Sequence, residues 1–560
     1  MAAPFGSLPL GHLSRLAVVL ALGFALVVLA RTGLLADWRR ALADRFVAGV
    51  PWGTAVVSGW LLFVYFVVQG AWDNPYDPLV VPFRSWSYLY PEGMFFAPFG
   101  HGGRGHLVGN LVSTLAFAPI VEFAWGHYPR TTAASERRWL GRPAGRIAAF
   151  VAAVFVMGLL TSLFVPGPLI GFSGVVFAFA GAALVVAPLP AVVAILGSNV
   201  LSLLYRAWID PVRIAEAQQR FIVPPWADVA IHGHALGLLI GIAAGIWLLR
   251  RTDETPDLAH VWFAGLVFGV AEALWAFFWS VGPGRFALFR GVGFAAIVFF
   301  ATVLIVAVGG SERRLLPAGI GPKSGTRSRL AGITRRRAAL VLLLIPVVGL
   351  AAVAVPFNLV SVDDPTIDDG VRVGDYRVTY AEDVPDLSIP PLRVPILDRE
   401  LRVERSGVIV VNERRHIWEA VIQKGGLAFR GTGRVTVGGL GWRETVYVNR
   451  TTWTVVDGGA TYTVYVRRPG EPRKQVYIDD PVVVPAVLDG KRVSIRPSRE
   501  GYRLAVFRNE TTLAQAPMPG PGENVTLSNL TFSREGTGLV ASFDRTRIHV
   551  ANLKLKDRED

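Results

Sequence analysis

Long apolar segments separated by short polar ones dominate the first 357 residues of the chain. A helix needs about 17–25 mostly apolar residues to cross a bilayer. Segments of about this kind lie near residues 16–35, 54–72, 107–126, 146–165, 170–187, 190–205, 227–249, 259–281, 286–309 and 338–357. The pattern therefore predicts a polytopic α-helical membrane protein with about ten transmembrane helices.

The pattern changes after residue 357. Stretches rich in Val, Thr, Tyr and Ile now alternate with Gly, Pro and Asp, which is typical of strands joined by tight turns. The clearest are residues 371–380, 408–411, 445–456, 462–467 and 548–555. Residues 358–560 are therefore predicted to form an all-β region of one or two β-sandwich-like domains.

The amino-acid composition limits which reactions and partners are possible for the chain. The chain of 560 residues has no cysteine, which excludes thiol catalysis and zinc–thiolate sites. Its net charge is +14, but residues 1–357 hold 27 basic and 15 acidic side chains against 29 and 27 in residues 358–560. The basic excess thus belongs to the apolar part, where it acts as a topology signal. We expect no nucleic-acid partner.

Arginine placement predicts the orientation. Every second loop between the predicted spans is rich in arginine, and the last of these holds eight basic residues between Arg313 and Arg337. The positive-inside rule makes these loops cytoplasmic and puts both termini outside. The four N-x-[ST] sequons, at Asn449, Asn509, Asn524 and Asn529, all fall in the β-rich region, in agreement with an extracytoplasmic location.

Polar residues inside membrane spans are costly and mark candidate functional sites. Three groups stand out: His106 to Asn110, Gly171 to Gly174 around Ser173, and a segment from His232 to Gly241 that includes His234 and Gly237. Each group alone has a structural explanation: the glycine motifs fit close helix packing through small residues, and a lone histidine on an apolar helix is more often a satisfied core residue than a catalyst. In the predicted orientation, however, His106, Ser173 and His234 all lie within about two turns of the outer end of their spans.

The motifs H-x-x-x-N, G-x-S-G and H-x-x-G-x-x-x-G, in this order on alternate spans, resemble those of the rhomboid family of intramembrane serine proteases. Glu122, followed by Gly126, matches the E-x-x-x-G of that family near the inner end of the same helix. The resemblance covers residues 54–249, a six-helix core, and leaves out one helix before it, three after it and the β-rich region.

The resemblance implies a role for each residue. Ser173 is the nucleophile and His234 its general base, a dyad without a third member and without a metal or other cofactor. His106 and Asn110, one turn apart, form the oxyanion hole with the Ser173 N–H. The motif glycines Gly171, Gly174, Gly237 and Gly241 allow close approach. Phe177 replaces the tyrosine that stacks on the catalytic histidine in many rhomboids.

These expectations divide the chain into four regions. Residues 1–53 supply an extra transmembrane helix and a cytoplasmic loop, and residues 54–249 the protease core. Residues 250–357 add three helices with a basic cytoplasmic linker, and residues 358–560 form the extracytoplasmic β-rich domain. The expected activity is cleavage of transmembrane segments of membrane proteins near the outer face of the cell membrane. Substrate helices and the lipid bilayer are the expected partners.

Two other functions fit some of the same residues. One is a catalytically inactive rhomboid-like scaffold or chaperone for membrane clients. The other is an intramembrane metallohydrolase with zinc on His101, His106, His232 and His234, although no HExxH motif supports it.

Three external regions carry further expectations. The aromatic residues of loop 73–105, among them Trp86 and Tyr90, are expected at the membrane interface or, alternatively, in a soluble loop core. Loop 206–226 is expected to cap the site. The β-rich domain either decorates the enzyme or recruits substrate ectodomains.

Overall fold

The computed structural model describes residues 10–32, 34–129, 139–211, 231–252, 255–282, 285–309, 333–362, 370–389, 392–394, 399–401 and 403–554. Arg130, Arg137 and Arg138, most of loop 206–226 and most of the linker 310–337 lie outside these ranges. The chain forms two compact units. The first comprises Met1–Pro78, Phe83–Ser85 and Pro91–Asn358, and the second comprises Leu79–Pro82, Trp86–Tyr90 and Leu359–Asp560.

The first unit is helical. Its helices are α1 Leu10–Arg31, α2 Leu34–Arg45, α3 Trp52–Phe63 with a wider turn over Val64–Val68, α4 Pro91–Phe96, α5 Arg104–Trp125, α6 Pro143–Phe164, α7 Ser173–Val186, α8 Pro188–Ile209, α9 Ile231–Thr252, α10 Leu258–Ala271, α11 Arg290–Gly309 and α12 Arg335–Asn358. Seven of the described helices, α1, α5, α6, α8, α9, α11 and α12, are long and apolar enough to cross a membrane. The other three predicted segments contain the shorter apolar helices α3, α7 and α10.

Two predicted spans differ from the structure. The segments 259–281 and 286–309 were expected to be helical throughout, but α10 ends at Ala271 and α11 starts at Arg290. Between them lies an antiparallel hairpin of β1 Phe278–Gly282 and β2 Arg285–Leu288. Ala273 has a φ of 54°, the left-handed conformation that ends helices. The aromatic residues that follow favour an extended backbone.

Helix α7 lies at the centre of the first unit, with most of its residues from Gly174 to Val185 buried. Helix α9 packs closely against it. A Cβ at Gly237 would collide with the carbonyl oxygen of Gly174, and one at Gly241 with that of Ala178. Small residues thus let the two backbones touch, which is how helices associate in membranes.

The second unit is almost entirely antiparallel β-structure. Its elements are β3 Val371–Val373, β4 Tyr376–Pro385, β5 Leu392–Val394, β6 Arg399–Leu401, β7 Glu404–Asn412, β8 Ile417–Gln423, the helix α13 Lys424–Arg430, β9 Thr432–Gly439, β10 Trp442–Val455, β11 Ala460–Arg467, β12 Lys474–Ile478, β13 Val482–Val483, β14 Arg492–Ser498, β15 Gly501–Arg508, β16 Thr511–Pro517, β17 Asn524–Leu527, β18 Leu530–Glu535, β19 Gly538–Phe543 and β20 Thr546–Lys554. Segment 371–380 is two strands rather than one, because Gly374 turns the chain with a φ of 58°.

The strands form three main sheets. The largest has the order β12-β11-β10-β20-β19-β18-β17, with β9 also paired to β10. The other two have the orders β3-β4-β7-β8 and β13-β14-β15-β16, and β5 pairs with β6. The long strand β10 serves two hydrophobic cores: its Val446 and Val448 lie in one, and its Trp453 and Val455 in the other. Two of the hydrophobic cores described in the β-rich region therefore share one sheet.

Two segments of the loop between α3 and α5 belong to this second unit. Val81, Trp86 and Tyr90 are 7%, 4% and 6% exposed and lie in the core formed by β3, β4 and β7–β12. The Trp86 indole N–H donates to the Val81 carbonyl (2.7 Å), and the Ser87 hydroxyl donates to the Val360 carbonyl (2.8 Å). The expectation of a membrane-interface position is thus wrong for Trp86 and Tyr90, because the β core buries their rings.

Candidate active site

Ser173 is the first residue of α7, and Gly171 shapes the turn that precedes it. Gly171 has a φ of 134°, and a Cβ there would lie 2.6 Å from Cε1 and 2.7 Å from Nε2 of His106. A side chain is excluded at this position on both counts. The Gly171 N–H donates to the Ala97 carbonyl (2.9 Å). The glycine therefore brings the His106 ring directly against the turn that carries Ser173.

His234 lies in the first turn of α9, next to Ser173. Its Nε2 is 2.8 Å from Ser173 Oγ, a hydrogen-bond distance. The contact between Gly174 and Gly237 sets this distance, because it brings the starts of α7 and α9 together. The Phe177 ring, one turn after Ser173, stacks on the imidazole with centroids 4.2 Å apart and planes at 10°.

His106 and Asn110 lie one helical turn apart at the start of α5. The Gly102 N–H donates to His106 Nδ1 (3.4 Å), so the neutral ring carries its proton on Nε2, the nitrogen nearest Gly171. Asn110 is 6% exposed, and its Nδ2 makes no hydrogen bond with the described residues. A buried amide donor without a partner is suited to a group that arrives only with a ligand.

His101 was considered from the sequence only as a zinc ligand, yet the structure gives it a place beside the site. It is fully buried, and its ring centroid lies 5.2 Å from that of His106. Its backbone N–H donates to Gln69 Oε1 (2.8 Å), and Gln69 Nε2 donates back to its carbonyl (2.9 Å). Burial, with a smaller effect of His106, lowers the pKa of His101 to about 3, so this ring is neutral. No local signal links Gln69 to His101.

Glu122 lies at the other end of α5, 16 residues or about 24 Å from His106. It is fully buried and accepts from the N–H groups of Gly53 (2.7 Å) and Thr54 (2.8 Å), which start α3. His127 Nδ1 accepts from the Val47 N–H, so its protonated Nε2 donates to Glu122 (2.7 Å). Glu122 thus ties α5 to α3 and has no part in the site itself.

The remaining histidine of the motif region, His232, is exposed on α9, whereas His234 is half-buried. Within the described ranges, no three His, Cys, Asp or Glu side chains are grouped so that they could hold a metal ion. The four histidines of the metallohydrolase alternative, all described, do not form such a group.

Comparison with known proteins gives one match. Residues 91–251 match a family model described as Rhomboid domain. This range contains all of the motif residues from His106 to Gly241, and it begins after α3, inside the expected core of residues 54–249. No curated protein and no solved structure matches the chain.

Proposed function

The chain is a multi-pass membrane protein with a rhomboid domain, and we propose that this domain is an intramembrane serine endopeptidase. One observation carries the proposal: the 2.8 Å contact between His234 Nε2 and Ser173 Oγ, two residues 61 positions apart in sequence and on different helices. A serine hydroxyl is too weakly acidic to attack unaided and needs a base at this distance.

The reaction follows from the positions of the donors. His234 takes the proton of Ser173 as Oγ attacks the scissile carbonyl, and later returns it to the leaving amine. The negative charge on the carbonyl oxygen would be held by His106 Nε2–H, Asn110 Nδ2–H and the N–H of Ser173, which starts a helix and has no intrahelical acceptor. Water then hydrolyses the acyl-enzyme, with His234 again as base.

The orientation of His234 depends on a ring instead of a carboxylate. In a Ser-His-Asp triad, the acid holds the imidazole in place. Among the described residues, His234 is hydrogen-bonded to Ser173 and stacked on Phe177. The stack restricts rotation of the imidazole and lets Nε2 remain directed at Oγ.

The substrates in this proposal are transmembrane helices of other membrane proteins. A helix in a bilayer hides its carbonyls in backbone hydrogen bonds, so the cleaved bond must first be unwound. Substrates should therefore carry Gly, Ala or Pro near their outer ends. We place the catalytic end of the domain at the outer membrane face, with residues 358–560 on the same side, where they recruit substrate ectodomains.

The test is cleavage of a model single-span substrate by full-length protein in liposomes. Ser173→Ala and His234→Ala should each abolish cleavage and labelling by a fluorophosphonate, which reacts with activated serines. His232→Ala, an exposed histidine two residues from the base, is the matched control and should retain most activity. Full activity in Ser173→Ala, with loss upon chelation, would favour the metallohydrolase. No cleavage and no labelling of the wild type would favour the scaffold.

A further inference from the structure

An apolar cavity of about 690 Å³ lies in the first unit against the Phe177–His234 stack. Its other walls come from the segment after α10, including Glu272 and Ala276, and from Val303 of α11 and Leu343 of α12. Most of this lining lies beyond residue 251, where the rhomboid match ends. Ser173, which is described, is not among the lining residues. The cavity is therefore distinct from the oxyanion hole.

The cavity has a buried floor and an exposed mouth. Leu238 and Leu343 on its lining are 6% and 7% exposed, whereas Phe299 and Leu342 are 62% and 50% exposed. Helices α9, α11 and α12, which supply these residues, are all candidate membrane spans. Because these helices are candidate membrane spans, we infer that the exposed side chains between them face hydrocarbon and that the mouth opens onto lipid chains.

The size and the lining of the cavity indicate which kind of molecule it could hold. One water takes about 30 Å³ and needs polar partners, so an apolar space of 690 Å³ suits an organic ligand. A single flexible hydrocarbon chain fits both the volume and the apolar walls.

We propose that this cavity binds one acyl chain of a zwitterionic phospholipid. Glu272 is the only acidic side chain on the described lining, which contains no Lys or Arg, so an anionic head group would be disfavoured. The bound chain packs against the Phe177–His234 stack, keeps water from that side of the imidazole and restrains its rotation. The effect on catalysis rests on the proposed function, whereas binding of the lipid does not.

Binding is tested with full-length protein in phosphatidylcholine bilayers that contain a lipid with a photoreactive group midway along one acyl chain. Mass spectrometry should locate cross-links on peptides containing residues 231–239, 299–303 and 342–346. Val303→Trp fills the cavity and should reduce these cross-links at least fivefold. Thr302→Trp adds the same ring at an exposed neighbouring position outside the lining and should leave them unchanged.

Ala276→Phe, on a different wall, serves as the second filling variant if Val303→Trp does not fold. Unchanged cross-linking in both filling variants would overturn the proposal. So would displacement of the lipid by excess single-span substrate in the Ser173→Ala protein, which would assign the cavity to substrate. Equal cross-linking by a phosphatidylglycerol with the same chain would overturn the preference for a zwitterionic lipid.

The catalytic effect has its own measurement. Fluorophosphonate labelling of Ser173 should be about fivefold faster in phosphatidylcholine nanodiscs than in a short-chain detergent, and Val303→Trp should remove this difference. Equal labelling rates in both media for the wild type would reject the effect on His234. Cavity cross-links without any labelling would leave the lipid site standing and reject the protease proposal.

Discussion

The rings of Phe177 and His234 lie nearly parallel, 4.2 Å between centroids and 10° between planes. Phe177 is four residues after Ser173 on α7, whereas His234 is on α9. The ring thus connects the two halves of the proposed dyad by packing alone. Because Phe177 lacks a hydroxyl, the stack forms without the phenolic group of a tyrosine.

Removing the ring should impair turnover. Phe177→Leu keeps an apolar side chain but loses the flat surface, so the imidazole should rotate away from Ser173. We expect a decrease in kcat of about 100-fold, because misplacing a catalytic group by about 1 Å can cost that much. Phe177→Tyr restores the ring and should stay near wild type. Cleavage kinetics in liposomes measure both, and an unchanged kcat in Phe177→Leu would contradict the role of the stack.

The buried amide of Asn110 should act mainly on kcat. Its unpartnered Nδ2 suits an oxygen that becomes negative in the transition state, so Asn110→Ala should lower kcat by about 100-fold with little change in KM. Ser113→Ala, on the same helix and only half-buried, is the control. A change confined to KM would argue for a ground-state role in substrate binding.

The contact between α7 and α9 leaves no room for a methyl group. Gly237→Ala would drive a Cβ into the Gly174 carbonyl and separate Ser173 from His234. We expect near-complete loss of cleavage and a lower thermal unfolding temperature in detergent. Gly197→Ala on α8, where a Cβ meets nothing within 4 Å, should behave like the wild type. Normal activity in Gly237→Ala would mean that the helices can separate without cost to the dyad.

Trp86 should stabilise the β-rich unit although it lies in a loop of the membrane part. Trp86→Ala removes a ring that is 4% exposed in the core of that unit and should cost about 3–5 kcal/mol of unfolding free energy. Trp72→Ala, in the same loop but 78% exposed, should cost less than about 0.5 kcal/mol. Limited proteolysis of residues 358–560 in the full chain compares the two, and equal protection would contradict the shared core.

The shared core also matters for a truncated chain that lacks the β-rich region. A chain ending near Arg337 would lack the core around Val81, Trp86 and Tyr90, and would leave these residues exposed. We expect it still to cleave a short model substrate, but a substrate with a large ectodomain less efficiently. As a control for the exposed tryptophan, Trp86→Ser in the same truncated chain should not alter the ratio of cleavage efficiencies between the two substrates. If the full-length and truncated proteins process both substrates equally, recruitment is rejected.

The β-rich unit should lose stability in acid through Glu382. Burial acts to raise the pKa of this carboxyl, but hydrogen bonds from three donor side chains outweigh the effect of burial, so the pKa is lowered overall. They are Tyr380 (2.6 Å), Lys424 (2.6 Å) and Tyr462. The lowered pKa means that stability is full above the unfolded-state pKa of about 4.3 and is lost as the pH falls through the folded-state value.

Glu382→Gln should therefore lower the unfolding free energy at pH 7 by about 1–3 kcal/mol and flatten its dependence below pH 5. Tryptophan fluorescence during denaturant unfolding follows the unit, with Glu404→Gln, an exposed acid on β7, as the control. The same acid slope in wild type and Glu382→Gln would exclude Glu382 as its source.

Much of the architecture is local information. Most of the long apolar runs are helices, because a helix satisfies its backbone hydrogen bonds internally, as lipid requires. Alternating β-branched and aromatic residues after residue 357 likewise predict strands. The motifs around His106, Ser173 and His234 mark the candidate site for the same reason, since polar groups in apolar spans are costly and rarely present without a role.

What the sequence left open depends on contacts between distant residues. The hairpin at Phe278–Leu288 has the composition of a membrane span, and only the turn at Ala273 and strand pairing separate it from α10. Trp86 and Tyr90 could have served equally at a membrane interface, and a core made by residues 370–480 buries them instead. Contacts between distant residues also set the Ser173–His234 distance and the hydrogen bonds between Gln69 and His101. Hydrophobicity determines which segments are buried, whereas the packing of particular surfaces decides which residues they contact.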